Sequence, residues 1–260
     1  MKILISAPLC EGKNFSINDW LERIAKQMQI HDDKTIDLLI VLNKSSSEYI
    51  QKIKTIRLYP NGQEVTPIVM YAGRKYDNGT IVERITQSRE IIRKYAVQHQ
   101  YDYLWFWDSD TLPPEDILTR LLSHNEPVVC GPYTYKGTDK IVAVWETKKI
   151  KTKDMKNYSV SHDYDKNVIN QQEEIGLCTQ VPLQAIIKAS KEGKLIKLNS
   201  AGMGMFLMKK EVFQTTEFKS TKYQGEDILY CQKINELGFN IMLDPKCFCL
   251  HVSDKLYEEK

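Results

Sequence analysis

The sequence contains no uninterrupted run of about 18 apolar residues, the lower limit for a membrane span, so no transmembrane helix is expected. The opening MKILISAPLC carries an apolar stretch too short for a secretory leader and passes at once into polar residues. Its six cysteines are scattered and never take the Cys-x-x-Cys spacing, which argues against a disulfide framework or a structural zinc knuckle. Cys247, Cys249 and His251 would share one face of a strand, and a zinc site there would need a fourth ligand such as Cys231 or Cys178. Buried free thiols are the simpler expectation. Neither sign of charge dominates: 36 Lys and Arg stand against 34 Asp and Glu, a net charge of +2, so nothing suggests a nucleic-acid-binding field. Repeats and low-complexity tracts are also missing. These features describe a cytoplasmic α/β protein, and 260 residues suffice for one domain with a sizeable core.

Apolar patterning then divides the chain. Residues 3–7 and the continuous apolar run IDLLIVL at 36–42 read as buried strands, separated by a helix over 17–29 with Trp20, Leu21, Ile24 and Met28 at helical spacing. Strand, helix, strand at this length predicts a right-handed parallel unit. A third short strand is expected at 67–71. Thr80 and Glu83 form a capping-box pattern opening the longest helix, whose inward stripe would be Ile81, Ile85, Ile92 and Ala96. Pro113 and Pro114, followed by Glu115 and Asp116, suit a further helix start, and 127–130 a further strand. Residues 148–170 are polar, lysine-rich and aperiodic, and are expected to form an excursion from the core. Helices over 183–191 and 225–237, the latter stopped by Gly238, and strands near 195–198, 201–208, 241–243 and 247–252 complete the reading.

The most informative stretch is YDYLWFWDSD at 101–110, an aromatic run that ends at Asp108 and Asp110. Five successive residues, Tyr103 to Trp107, are apolar or aromatic, which fits a strand buried on both faces. Such a strand delivers both carboxylates to its carboxyl end, the edge where open α/β sheets bind ligands. Two like charges about 4 Å apart repel by ~4 kcal/mol at an effective dielectric near 20, which a divalent cation would relieve. Two other acidic or imidazole elements end predicted segments: the adjacent Glu226 and Asp227, and His251. Each also has a plain structural reading, as turn aspartates, as acids favoured at a helix N-terminus, or as a strand histidine with satisfied hydrogen bonds.

In this order the elements resemble the GT-A-fold glycosyltransferases, and among them the family 2-like enzymes. WFWDSD looks like their Asp-x-Asp motif, and segment 86–89 is similar to an Ala-Arg-Asn-like element with Arg89 in the arginine position. NSAGMGMFLMKKEVF at 199–213 resembles their glycine-containing strand followed by basic, basic, x, Val, Phe. GEDILYCQKINELGF at 225–239 is similar to their Glu-Asp helix, and His251 matches a late metal-binding histidine. The likeness covers most of the chain outside roughly 148–194.

The resemblance implies an α/β GT-A fold with a mostly parallel twisted sheet between helices, in one domain. Residues 1–130 would bind the nucleotide sugar, and 131–260 the acceptor, with a variable insertion at about 148–194. It further implies transfer of a sugar from a nucleotide diphosphate sugar, UDP- or GDP-linked, to a hydroxyl of a glycan, lipid-linked or protein acceptor. Mn²⁺ or Mg²⁺ would be held by Asp110 and His251 with Asp108 nearby, imidazole favouring Mn²⁺. Asp227 would be the general base, Glu226 would help position the acceptor, and direct attack would invert the anomeric carbon. Pro8 in the first loop, Asn43 after the second strand, Arg89, Asp108, Ser109 and Gly202 would contact the donor. Asn43 departs from the acid many relatives carry there, which leaves the base open. A relative that binds a sugar nucleotide or glycan without turning it over is the main alternative. DSDTL also resembles the nucleophile motif of haloacid dehalogenase-like phosphatases, but three strands precede it and the later acids are adjacent rather than spaced. The lysines at 148, 149, 151, 153 and 156 suit a solvated loop, or peripheral docking on anionic lipid; Tyr133 and Trp145 suit core packing, or an acceptor groove.

Overall fold

The computed structural model describes residues 1–135, 137–151, 174–221 and 225–252. Its strands are β1 (Lys2–Leu9), β2 (Thr35–Leu42), β3 (Ile68–Tyr71), β4 (Tyr103–Trp107), β5 (Thr111–Leu112), β6 (Val128–Cys130), β7 (Ala143–Lys151), β8 (Glu174–Gln180), β9 (Ile196–Leu198), β10 (Ser200–Ala201), β11 (Met205–Lys209), β12 (Ile241–Leu243) and β13 (Leu250–His251). The helices are α1 (Ile17–Ile30), α2 (Ser47–Lys54), α3 (Ile81–Gln98), α4 (Ile117–Ser123), α5 (Leu183–Glu192), α6 (Lys210–Thr215) and α7 (Glu226–Glu236). Eight strands form one sheet in the order β3-β2-β1-β4-β11-β6-β12-β9. Strands β1, β2, β3, β4, β6 and β12 run one way, while β11 and β9 run against their neighbours.

Alternation along β4 explains why the sheet has helices on both faces. Leu104 and Phe106 enter one core with Leu4, Leu39, Val41, Ile92 and Ala96, whereas Trp105 and Trp107 enter the other with Ile5, Ile40, Trp20 and Ile24. Leaving water stabilises the fold by about 1.5–3 kcal/mol for each such large apolar side chain. α3 covers the first face and α1 the second, and the capping box of Thr80 and Glu83 is present. The indole nitrogens are also satisfied. Trp20 Nε1 donates to Trp107 O at 3.1 Å, and Trp107 Nε1 donates to Thr111 O at 2.7 Å, so the aromatic strand grips the turn that follows it.

Several expectations change. Ile81 is 65% exposed rather than inward and Ile85 is only partly buried, so the inward stripe of α3 begins beyond its first turn, with Ile92 and Ala96 in the core. The prolines at 113 and 114 precede α4 by several residues, and only Leu250–His251 of the expected last strand is paired, to β5. Residues 148–151, the start of the expected excursion, belong instead to the strand Ala143–Lys151, paired with β8 and β10 in a small separate sheet; the rest of that excursion, 152–170, lies outside the described residues. Lys153 and Lys156 lie outside the described residues.

Gly202 and Gly204 lead into β11 beneath Tyr133. A Cβ on Gly202 would lie 2.2 Å from the Tyr133 hydroxyl and 2.7 Å from a Val142 methyl, and one on Gly204 2.8 Å from the same hydroxyl. That hydroxyl accepts a 3.0 Å hydrogen bond from Gly204 N, so the ring cannot withdraw without breaking it. Gly202→Ala should therefore destabilise the fold by about 1–3 kcal/mol, measured by chemical denaturation at equilibrium; an unchanged midpoint would contradict this packing.

Candidate active site

Asp108 leaves the carboxyl end of β4 with its N–H donated to Gly204 O at 3.0 Å, and Thr111 N closes the turn onto Asp108 O at 3.0 Å. The turn places Asp108 and Asp110 in a cleft of ≈ 250 Å³ at the end of β1, β2 and β4. Pro8, Asn43, Arg89 and Ser109 line it as well, so five of the six expected donor contacts meet in one place. Gly202 is the sixth; it is buried against Tyr133 and Val142 and does not line the cleft. Asn43 turns its amide to Ser88 Oγ at 3.2 Å, on α3.

Two carboxylates in this region are each paired with cationic or imidazole groups from distant segments. Asp110, nearly buried, pairs with Lys13 from the loop after β1 and lies 3.3 Å through Oδ2 from His251 Nε2. His251 Nδ1 is 2.8 Å from Thr134 O, so the ring donates there, and in the neutral ring Nε2 is left as a lone-pair ligand suited to an ion beside Asp110. Asp108 Oδ2 lies 3.4 Å from Arg89 Nη2, and Arg89 Nη1 pairs with Glu226 at the first turn of α7. The antiparallel β13–β5 pairing, Leu250 with Leu112 and His251 with Thr111, is what brings the late histidine beside the aspartate turn.

The electrostatics follow from burial. Burial pushes the Glu226 carboxyl above its ordinary range, with Arg89 opposing the rise and Asp227 adding to it. Asp108 is also raised by burial, Arg89 opposing and Asp110 reinforcing. Burial raises the Tyr133 phenol well above its ordinary value, and its ring meets His251 edge-on at 5.4 Å between centroids. Asp227 sits beside Glu226 and accepts a 2.8 Å hydrogen bond from Ile228 N.

The donor set suits a hard or borderline divalent cation in part. Carboxylate and imidazole converge at Asp110 and His251, and Asp108 Oδ1 and Thr111 Oγ1 are buried without a hydrogen-bond partner among the described residues. Among those residues no group of three or more His, Cys, Asp and Glu is close enough to hold an ion alone, so water or substrate oxygens would have to complete its coordination. The same finding leaves the zinc arrangement unsupported: Cys247 Sγ points to Asp244 Oδ2 at 3.3 Å and Cys249 Sγ to Cys247 O at 3.1 Å, both as buried free thiols.

Sequence reasoning missed Lys13, Arg84, Ile81 and Ile85 as cleft residues, whereas Cys10 falls in the first loop after β1. Lys13 had a signal, since it lies just beyond the carboxyl end of the first strand, where such sheets bind ligands. Trp145 is 46% exposed on β7, whereas Tyr133 is core.

No protein-family profile matches the chain, and no curated protein sequence matches it. Solved structures do. GalNAc-T7 with UDP, GalNAc and Mn²⁺ aligns with a TM-score of 0.59 at 13% identity over 97% of this chain and 44% of that one. The mannosyltransferase PcManGT from Pyrobaculum calidifontis, in complex with GDP-Man and Mn²⁺, aligns at 0.54 and 14% identity over 99% of this chain and 59% of that one. S. aureus TarS residues 1–349 in complex with UDP aligns at 0.51 and 14% identity over 100% of this chain and 63% of that one. The chain thus spans less than two thirds of each of these structures. It has a GT-A-like α/β fold: a twisted mixed sheet flanked by helices. In that fold Asp108 ends the fourth strand in chain order and Glu226 and Asp227 adjoin on one helix, an arrangement at odds with the phosphatase reading.

Arg89→Leu should cost about 3–5 kcal/mol, because it strands the buried Glu226 carboxylate. A carboxyl whose folded pKa is raised stabilises the fold fully below its unfolded pKa and loses that contribution as pH rises through the folded value. The deficit of the variant should therefore be largest near neutrality and shrink on acidification toward the ordinary carboxylate range, read from denaturation midpoints across pH; a deficit independent of pH would contradict the pairing.

Proposed function

We propose that this chain is a nucleotide-sugar-dependent glycosyltransferase that moves a sugar from a UDP- or GDP-sugar to an acceptor hydroxyl with inversion. The observation that carries the reading is the convergence of Asp108, Asp110, Arg89, Pro8 and Asn43 on one cleft, with His251 brought to Asp110. The bound ligands named for GalNAc-T7, PcManGT and TarS support a nucleoside diphosphate or its sugar as the ligand.

Charge balance supports a cation as well. With Asp108, Asp110, Glu226 and Asp227 ionised, four negative charges face three positive ones on Lys13, Arg84 and Arg89, leaving one net negative charge for a cation to offset. Asp110 and His251 would hold Mn²⁺ or Mg²⁺, with Asp108 reaching it through water, and the ion would supply Lewis-acid neutralisation of the departing nucleoside diphosphate. Arg89, which lines the cleft and pairs with both Asp108 and Glu226, ties the first turn of α7 to the aspartate turn, although Glu226 and Asp227 do not themselves line the cleft. Asp227 then takes the proton of the attacking hydroxyl, and Glu226 acts by positioning it. The first 130 residues serve the donor and the remainder the acceptor, a glycan, lipid-linked or protein hydroxyl, with exposed Trp145 on that side, in a single domain. No helix among the described residues is long and apolar enough to cross a membrane. We place the enzyme in the cytoplasm, with contact to a membrane at most peripheral.

Asp110→Ala should abolish Mn²⁺-dependent binding of UDP and GDP in calorimetry. Asp227→Ala should bind them as before and lose about 10²–10⁴ in transfer rate, followed by release of nucleoside diphosphate. Full transfer by both variants would refute the assignment.

A further inference from the structure

The ion pair between Lys13 and Asp110 has a consequence for the order in which the site fills. Lys13 belongs to the short 3-10 turn Glu11–Ser16 after β1, where its own N–H donates to Cys10 O at 2.9 Å and its carbonyl accepts from Ser16 Oγ at 3.2 Å. The backbone is held, while the side chain reaches across the cleft to Asp110 Oδ2, the same oxygen that faces His251 Nε2 at 3.3 Å. The Lys13 side chain is 35% exposed and that of Asp110 4%, so the lysine reaches a buried carboxylate from the open side of the cleft that both line.

We propose that Lys13 is a built-in counter-ion: it occupies Asp110 in the empty site, weakens metal binding there, and transfers to the diphosphate when metal and nucleotide enter together. The inference rests on the glycosyltransferase reading of this cleft. An ammonium and a divalent ion cannot both sit on one carboxylate oxygen without repelling each other. Lys13 must therefore swing away when Asp110 and His251 take an ion. Its four-carbon stem allows that movement, and the cleft that it lines offers one new anionic partner, the phosphate oxygens of the ligand. Arg89 cannot play this part, because Asp108 and the buried Glu226 hold it from two sides.

The test measures Mn²⁺ affinity without nucleotide by electron paramagnetic resonance, and UDP and GDP affinity at saturating Mn²⁺ by calorimetry. Removing the lysine charge should move the two affinities in opposite directions. Lys13→Gln should bind free Mn²⁺ roughly three- to tenfold more tightly than the wild type, and the nucleotide more weakly by a similar factor. Lys13→Met should repeat that pattern without an amide that might ligate the ion, and Lys13→Arg should keep the wild-type metal affinity. Unchanged or weaker Mn²⁺ binding in both neutral variants, with binding in the wild type intact, would overturn the counter-ion role alone. If the wild type bound no Mn²⁺ even with nucleotide present, the metal-dependent reading of the cleft would fall, and this inference with it.

Discussion

The structure depends on holding charge at the end of a strand that is itself wholly apolar. β4 is buried on both faces, with its tryptophans in one core and Leu104 and Phe106 in the other, so its position is fixed to the sheet on either side. The next residues are an aspartate, a serine and an aspartate. Their carboxylates are tolerable there because two cations arrive from elsewhere in the chain, Lys13 after β1 and Arg89 on α3, and the last described strand adds the His251 ring beside Asp110. Segments far apart in sequence are thus tied to one point by electrostatics, while the hydrophobic layers set where that point lies.

Arg89 shows how the arrangement links the two halves of the chain. Its guanidinium bridges Asp108 on the sheet and Glu226 at the start of α7, and α7 packs Tyr230, Cys231 and Ile234 into the same core as Phe106 and Ile92. The acids of α7 are therefore placed relative to the aspartate turn by both packing and charge. Tyr133 adds a second tie. Its hydroxyl meets Gly204 N, its ring meets His251, and the glycines leave it room.

Much of this was legible in the sequence, for physical reasons that also mark the limit. β1, α1, β2, β3, α3 and β4 announced themselves because a sheet covered on both faces requires continuous apolar strands and the covering helices require a single apolar stripe. Asp108 and Asp110 stood out against that background. The β7–β8 pairing did not, since a polar, lysine-rich strand in a small sheet carries no such run, and its partner lies more than twenty residues away. The position of Lys13 after the first strand was a signal, but its partner was not legible: a long flexible side chain can reach many places, and only the fold shows which carboxylate is within range. The functional value of Gly202 likewise changed meaning once Tyr133 was seen to fill the space beside it.

The central claim is that the carboxyl end of β4 gathers an ion and a nucleotide in one cleft. A crystal structure of the protein grown with Mn²⁺ and either UDP or GDP tests it most directly. The account predicts anomalous density for manganese between Asp110 and His251, with diphosphate oxygens completing its coordination. Manganese bound elsewhere, or a nucleotide lodged outside the cleft of Pro8, Asn43 and Arg89, would contradict it.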